Sequence, residues 1–455
     1  MRTEKLSNEE RQRIHEAALE ILETVGVQVS SEPLLKRLAE HGLRSPDGQR
    51  LPLPRRAVES ALASAPRSVT LGGRRGADRT LRLEGRRVFA TTDGCGSRAI
   101  DFDSGERRPS ALRDLAASAR LTDALDQFDV YWTMVSAQDV PRSERVARGY
   151  LEALRNTTKH VQVIDAGRPF EAETLARLAH ALTQAGAVEA HAVSMLISVV
   201  TPLRLDPTGT EAALVFAREG LPVVACSMPI AGVTAPATAA GMVLLGHAEV
   251  MAFITIIQTL VPGAPVIYCL FPAFGHARTG ETNYADPRKG WAAGAAVQLA
   301  RPLGVPCFTS GEGPALELAP DLISGGGLLE TSTLLRYEQL VIDNEMLRAM
   351  RAAAAAQDTG PEGLALDLIR EVGPGGHFLA RKHTARHMRE CLVPRYTEVD
   401  ASAVPPSGGE PAGAAGERAR REARRLLRDH RVEPLPAELE ARLEAILQES
   451  PATAA

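Results

Sequence analysis

Val193-Ser-Met-Leu-Ile-Ser-Val-Val200, then Pro207–Arg218, then Leu221-Pro-Val-Val-Ala-Cys-Ser-Met-Pro229: two short apolar runs enclose one amphipathic segment. The runs are apolar at consecutive rather than alternate positions, as a strand covered on both faces requires. Two such strands joined by a helix-length segment form a right-handed parallel crossover. The same alternation extends in both directions. Eight runs can be counted: Val88–Thr92, Val130–Ser136, His160–Asp165, Val193–Val200, Leu221–Pro229, Pro265–Phe271, Val305–Thr309 and Asp321–Ser324. Between them Ser110–Ala124, Glu144–Asn156, Phe170–Gln184, Ala235–Leu260 and Pro287–Leu303 have the length of crossover helices. Eight runs favour an α/β chain closed into a (β/α)8 TIM-type barrel over an open doubly wound sheet. No G-x-G-x-x-G follows the first run, which weighs against a dinucleotide-binding fold.

One gap breaks the rhythm. Only Ser310–Pro320 separates the last two runs, and it carries Pro314 and Pro320. A parallel crossover with its helix needs at least about 10–12 residues, so the seventh barrel helix is expected to be missing or truncated.

The flanks divide as follows. Residues 1–85 are expected to form an N-terminal helical cap, opened by the capping box Ser7-x-x-Glu10 and stopped first at Gly26. The barrel is assigned to 86–356, and 357–403 to a loop and helix packing on it. A Pro-, Gly- and Ala-rich linker spans 404–417, and a helix pair 418–455 ends the chain. The charged faces of that pair suit packing on the barrel or on a neighbouring subunit, and a homo-oligomer is expected.

Composition excludes several classes. A net charge of −4 over 455 residues offers no field for nucleic acid or an anionic membrane. No run of uninterrupted apolar residues approaches the ~20 of a membrane span. The five cysteines are widely spaced without a CxxC, and the chain starts with charged residues, so a cytoplasmic location is expected.

In such a barrel the chemistry sits where the strands end. Asp93 follows the first run, Trp132 lies in the second, and Tyr268 and Phe271 lie in the sixth, with His276, Arg278 and Tyr284 just beyond. Glu312 follows the seventh run and Gly325-Gly326-Gly327 the eighth. Aromatics are only 4% of the chain, yet many fall in or just after these runs, among them Phe308. Aromatic faces around a cavity attract a quaternary ammonium, which has no N–H to donate; filling the barrel core is the plainer role. Glu312 could pair with a cationic substrate or stand in a turn, and His276 and Arg278 could bind a carboxylate or be solvated. The three glycines could cradle an anion on backbone N–H groups, although a tight turn explains them equally simply. Cys226, Cys269 and Cys307 lie in three successive strands and could hold zinc if all faced inward, but core packing is the preferred account. His377, His383 and His387 form part of a basic face, with His377 kept among the substrate-binding candidates and no metal assigned.

Several stretches together resemble the trimethylamine methyltransferase family, in particular members without pyrrolysine such as the glycine betaine methyltransferases. They are Asp101-Phe-Asp-Ser-Gly-Glu-Arg-Arg108 with Asp114-Leu-Ala116, Val135–Pro141, Glu249–Ala252, Pro262–Tyr268 and Arg278-Thr-Gly280. Tyr337-Glu-Gln-Leu-Val-Ile-Asp-Asn-Glu345 and Gly376-His-Phe-Leu-Ala-Arg-Lys-His-Thr384 complete the set. The resemblance implies a (β/α)8 fold and transfer of a methyl group from a methylated amine or betaine to Co(I) of a corrinoid (cobalamin). A separate corrinoid protein would carry that cofactor, with none tightly bound here. It also implies an in-line displacement in which the protein orients and desolvates the ammonium, consistent with the lack of a catalytic triad. The family's Ser-Lys…Asp-x-Gln-Ala-Gly-Tyr-Glu-Lys block after the seventh strand has no match, at the place where the crossover is short. Two alternatives stay open: a degenerate homologue that binds a betaine or corrinoid protein without turnover, and a zinc-thiolate methyltransferase.

Overall fold

The computed structural model describes residues 4–74, 76–164, 167–311, 313–355, 358–388, 395–396 and 414–450. Its centre is eight strands: β1 Phe89–Ala90, β2 Val130–Trp132, β3 His160–Ile164, β4 Val193–Ser198, β5 Val223–Ser227, β6 Val266–Leu270, β7 Cys307–Ser310 and β8 Leu322–Ser324. From β2 to β8 each strand pairs in parallel with the next, and β8 pairs with β1. A parallel bridge from Thr91 to Val130 joins β1 to β2 and closes the ring. The eight apolar runs counted in the sequence are these eight strands.

Alternate side chains point into the ring. Phe89, Val130, Trp132, Leu196, Val224, Cys226, Ile267, Cys269, Phe308 and Leu322 form one interior cluster. Their neighbours, such as Tyr131, Val161, Met195, Ala225, Tyr268 and Leu270, join the larger core beneath the helices. Both faces are dry, which is why the strands read as continuous apolar runs.

Three helices precede the barrel, α1 Asn8–Thr24, α2 Glu32–Glu40 and α3 Arg55–Ser64. The expected capping box opens α1: Ser7 Oγ accepts the Glu10 N–H at 3.2 Å, and Glu10 Oε2 accepts the Ser7 N–H at 2.8 Å. Gly26 ends it at φ 72°, where an added Cβ would lie 2.4 Å from Leu51 O. Not all of this region is helical. Val69–Leu71 and Leu81–Leu83 pair as an antiparallel hairpin, and Val69, Leu71, Leu81 and Leu83 belong to the barrel's interior cluster. Their period-2 apolar pattern is that of a hairpin with one buried face, and that face plugs the N-terminal floor of the barrel.

The crossovers are α4 Leu112–Ala124, α5 Arg145–Asn156, α6 Pro169–Gln184, α7 Pro207–Arg218, α8 Ala239–Leu260 and α9 Arg288–Ala300. Helix α8 alone among the described residues is long and apolar enough to cross a membrane. It is instead buried between the barrel wall and helices α1 and α3, and a helix enclosed on all sides is apolar all round.

After β7 comes only α10, Gly313–Leu316, a single turn. The truncation expected from the short gap is present. Ala319 adopts φ 48°, turning the chain back. Asp321 then ties the return together: Oδ2 accepts the Cys307 N–H at 2.9 Å and Oδ1 the Gly85 N–H at 2.6 Å. The eighth helix, α11, is full length at Tyr337–Ala354.

Beyond it lie α12 Pro361–Leu364, α13 Leu366–Val372, α14 Lys382–His387, α15 Ala414–Asp429 and α16 Ala437–Gln448. Helix α15 packs on α11 and α4, and α16 on α6 and α5. The expected linker lies outside the described residues except for its last residues, which open α15.

Candidate active site at the barrel rim

The hairpin covers the N-terminal ends of the strands, so among the described residues the interior cluster is approached from their C-terminal ends. Three rings gather there. Trp132 and Phe271 stack at 6.3 Å between centroids, Trp132 and Phe308 lie 6.0 Å apart, and Phe271 meets Phe308 edge-on at 4.9 Å. Trp132 is level with Gln162 across the β2–β3 ladder, and Cys226 with Cys269 across β5–β6. Burial pushes the Cys269 thiol well above its ordinary value, so it lines the interior as a soft, uncharged thiol. Trp132 Nε1, both amide atoms of Gln162 and Ser310 Oγ are buried without a hydrogen-bond partner.

Asp93 stands at the rim above β1. Its N–H donates to Gly326 O at 2.8 Å. Its carboxylate accepts the Gly94 N–H at 2.9 Å and the hydroxyl of Ser332. Burial raises its pKa, while Ser332, the Gly94 N–H and the charge of Lys289 act in the opposite sense. Ser332 is delivered by a run of three non-glycine residues in the left-handed region, Glu330, Thr331 and Ser332 at φ 52°, 60° and 61°. Such residues cost about 1–2 kcal/mol each, and strain of this kind gathers at functional sites.

In the glycine turn, one N–H is already engaged. Gly327 N–H is already taken by Asp343 Oδ2 at 2.7 Å, and Gln339 donates to the other oxygen of Asp343 at 2.8 Å. Glycine is needed there for space: a Cβ on Gly326 would lie 2.4 Å from the Phe128 ring, and Gly327 sits at φ 94° against Met134 and Leu340. Gly326 and Gly327 therefore serve packing and the Asp343 contact, while Gly325 has open space around it and is set apart by its φ of 132°.

Some of the stretches that carry the family resemblance hold segments around this rim. Arg108 donates to Asp101 at 3.0 Å and in two-point fashion to Asp114 at 2.6 and 2.8 Å. Tyr337 Oη donates to Asp114 at 2.8 Å. Glu249 accepts from Thr201 Oγ1, Leu203 N and Ser227 Oγ at 2.9, 2.6 and 2.5 Å, tying together the loops after β4 and β5. They act as struts that hold the loops, and none reaches the interior.

The candidates separate into three groups. Asp93, Trp132 and Phe271 are at the mouth. Tyr268 is not: its side chain points outward, and its hydroxyl meets His247 Nδ1 at 3.0 Å, with His247 in turn 3.1 Å from His15. His276, Arg278 and Tyr284 lie on an exposed excursion in which Ala273–Gly275 pairs with Thr282–Asn283. There the His276 ring accepts from its own turn and Lys289 lies over the Tyr284 ring. His377 is exposed in the turn between α13 and α14. Glu312 lies outside the described residues. The three-thiolate zinc site fails on facing: Cys226 and Cys269 line the interior, but Cys307 belongs to the outer core. The residues not anticipated are Gln162, Ser310 and Asp343. Gln162 had a signal, being an amide two residues from His160 on a strand otherwise rich in valine.

Comparison with known proteins agrees with the barrel fold and places the chain in a family. The family model described as trimethylamine methyltransferase matches residues 1–317 and 321–452, its break falling in the short stretch after β7. A trimethylamine methyltransferase of Desulfitobacterium hafniense is 30% identical over 471 residues, spanning 98% of this chain and 93% of that protein. A glycine betaine methyltransferase of the same species is 31% identical over 417 residues, 86% of each. The crystal structure of the Methanosarcina barkeri monomethylamine methyltransferase superposes with a TM-score of 0.53 at 12% identity, covering 94% of this chain and 89% of that one, a likeness of fold. The chain belongs to the trimethylamine methyltransferase family.

Proposed function

We propose that this chain moves a methyl group from a quaternary or tertiary methylated amine of betaine type to Co(I) of a corrinoid carried by a partner protein. The observation that carries this is the cluster of Trp132, Phe271 and Phe308 at the C-terminal end of the barrel. Ring faces attract a cation that cannot hydrogen-bond. They also keep water from solvating its charge.

A corrinoid fits this mouth as a visitor. His160 has both ring nitrogens engaged, by Gly72 O at 3.1 Å and Ser194 Oγ at 2.9 Å, and His247 is likewise engaged on the outer face. Neither imidazole is disposed to ligate cobalt. His276, Arg278 and Lys289 supply donors on the rim where a carrier protein would rest. When brought there, the corrinoid supplies the nucleophile. The chain's own residues bind and align the ammonium, which is the entropic part of the barrier. From a quaternary ammonium, or from a tertiary amine bound with its proton on nitrogen, the departing amine leaves neutral, so no acid need protonate it during transfer and the mouth needs no acid–base pair.

The one-turn α10 favours a second reading, a homologue that binds a betaine without turnover. Mixing the purified chain with a reduced corrinoid protein and a panel of methylated amines tests both. Methylation of the corrinoid, seen as its absorbance change, supports transfer; binding of a betaine with no methylation by any amine supports the second reading. A homo-oligomer is also inferred, supported by exposed Leu364, Ile369, Phe378, Leu379 and Met388 on the α12–α14 segment; light scattering on the pure chain tests it.

A further inference from the structure

Of the unpartnered atoms at the mouth, the amide of Gln162 is the most informative. Gln162 is 0% exposed. It stands level with Trp132 on one side and Ser194 on the other. The inward residue below it, His160, is fully satisfied by Gly72 and Ser194. Polar groups beneath this layer are therefore paired, whereas Gln162 Nε2 and Oε1, Trp132 Nε1 and Ser310 Oγ are not. Native proteins leave few buried polar groups unpaired, and those that remain call for a water, an ion or a ligand.

We propose that Gln162, in the layer it shares with Trp132, seats the hydrogen-bonding end of the substrate, a carboxylate or carbonyl, so that the methylated ammonium lies among the Trp132, Phe271 and Phe308 faces. The inference rests on the methylated-amine reading of the site. The amide nitrogen donates to the acceptor. The amide oxygen faces the polarised methyl groups of the ammonium, whose C–H bonds are weak donors. Gln162 then makes the site choose. A substrate with no acceptor leaves the amide unpaired, and sites built to hydrogen-bond a substrate reject analogues that lack the partner strongly.

Calorimetric titration of the full chain with glycine betaine and with tetramethylammonium tests this. The wild type is expected to bind the betaine more tightly. Gln162→Leu should weaken betaine binding about tenfold or more, leave tetramethylammonium within about twofold, and leave the thermal midpoint of the free protein unchanged or higher. Gln162→Glu, which sets a carboxylate against a carboxylate, should abolish betaine binding and tighten tetramethylammonium. Equal loss of both ligands in Gln162→Leu, no loss of either, or a clear fall in its thermal midpoint overturns the seat. Equal affinity of the wild type for the two ligands overturns it while leaving the methylated-amine reading intact. Binding of neither removes that reading, and the seat with it.

Discussion

Asp343 on α11 takes the Gly327 N–H at 2.7 Å from the far side of the turn whose Gly326 carbonyl receives the N–H of Asp93. Burial, with the charge of Asp93 adding to it, raises Asp343 to about 6. The folded chain therefore keeps a proton that the unfolded chain has released by about pH 4. Stability falls as pH rises through that window and is level again above pH 6. Asp343→Asn keeps an acceptor for Gly327 without the charge. It is expected to be more stable than the wild type by roughly 2–3 kcal/mol at pH 7, a gap that closes near pH 4. Urea unfolding at both pH values checks this, and a constant difference would place the effect elsewhere.

Tyr268→Phe probes the outward chain Tyr268–His247–His15. It leaves His247 Nδ1 without its partner, at a cost of about 1–2 kcal/mol in stability. Binding of a methylated amine should be unaffected, because the hydroxyl is on the other side of the barrel wall. Weaker ligand binding at unchanged stability would return Tyr268 to the site.

Phe271→Leu keeps an apolar side chain but removes a ring face. Affinity for a trimethylammonium ligand should fall by about 1 kcal/mol, and affinity for its uncharged tert-butyl isostere much less. Similar losses for both would mean that the ring only fills space.

Asp321→Ala should cost about 2–3 kcal/mol, since it leaves the buried Cys307 N–H and the Gly85 N–H unpaired at once. Asp321→Asn can keep one of the two and should fall between. Denaturant midpoints at constant m-value provide the comparison.

The strands and crossovers were legible because each carries its own signal. A run such as Val223-Val-Ala-Cys-Ser227 is apolar at every position only when both sides are covered. The short seventh crossover was legible from residue count and prolines alone. Facing was not assigned correctly: Tyr268 and Phe271 were both expected at the mouth, yet residues three apart on a strand point to opposite sides. Which parity faces in depends on how the whole ring closes. Asp343 was beyond reach for another reason, since its partner Gly327 is a backbone N–H that no residue pattern marks. The struts Asp114–Tyr337 and Glu249–Ser227 were visible only as family likeness, because their meaning lies in contacts between distant segments.

The hairpin of Val69–Leu71 and Leu81–Leu83 that plugs the barrel floor bears on the order in which amine and carrier would bind. On the proposed function, with a carrier protein resting on the rim, the amine is expected to enter before the carrier docks, and the demethylated product to leave after the carrier withdraws. Addition is then compulsory rather than random. Initial-rate kinetics should show the carrier protein, in excess, inhibiting competitively with respect to the amine, by shutting the door on an empty chamber.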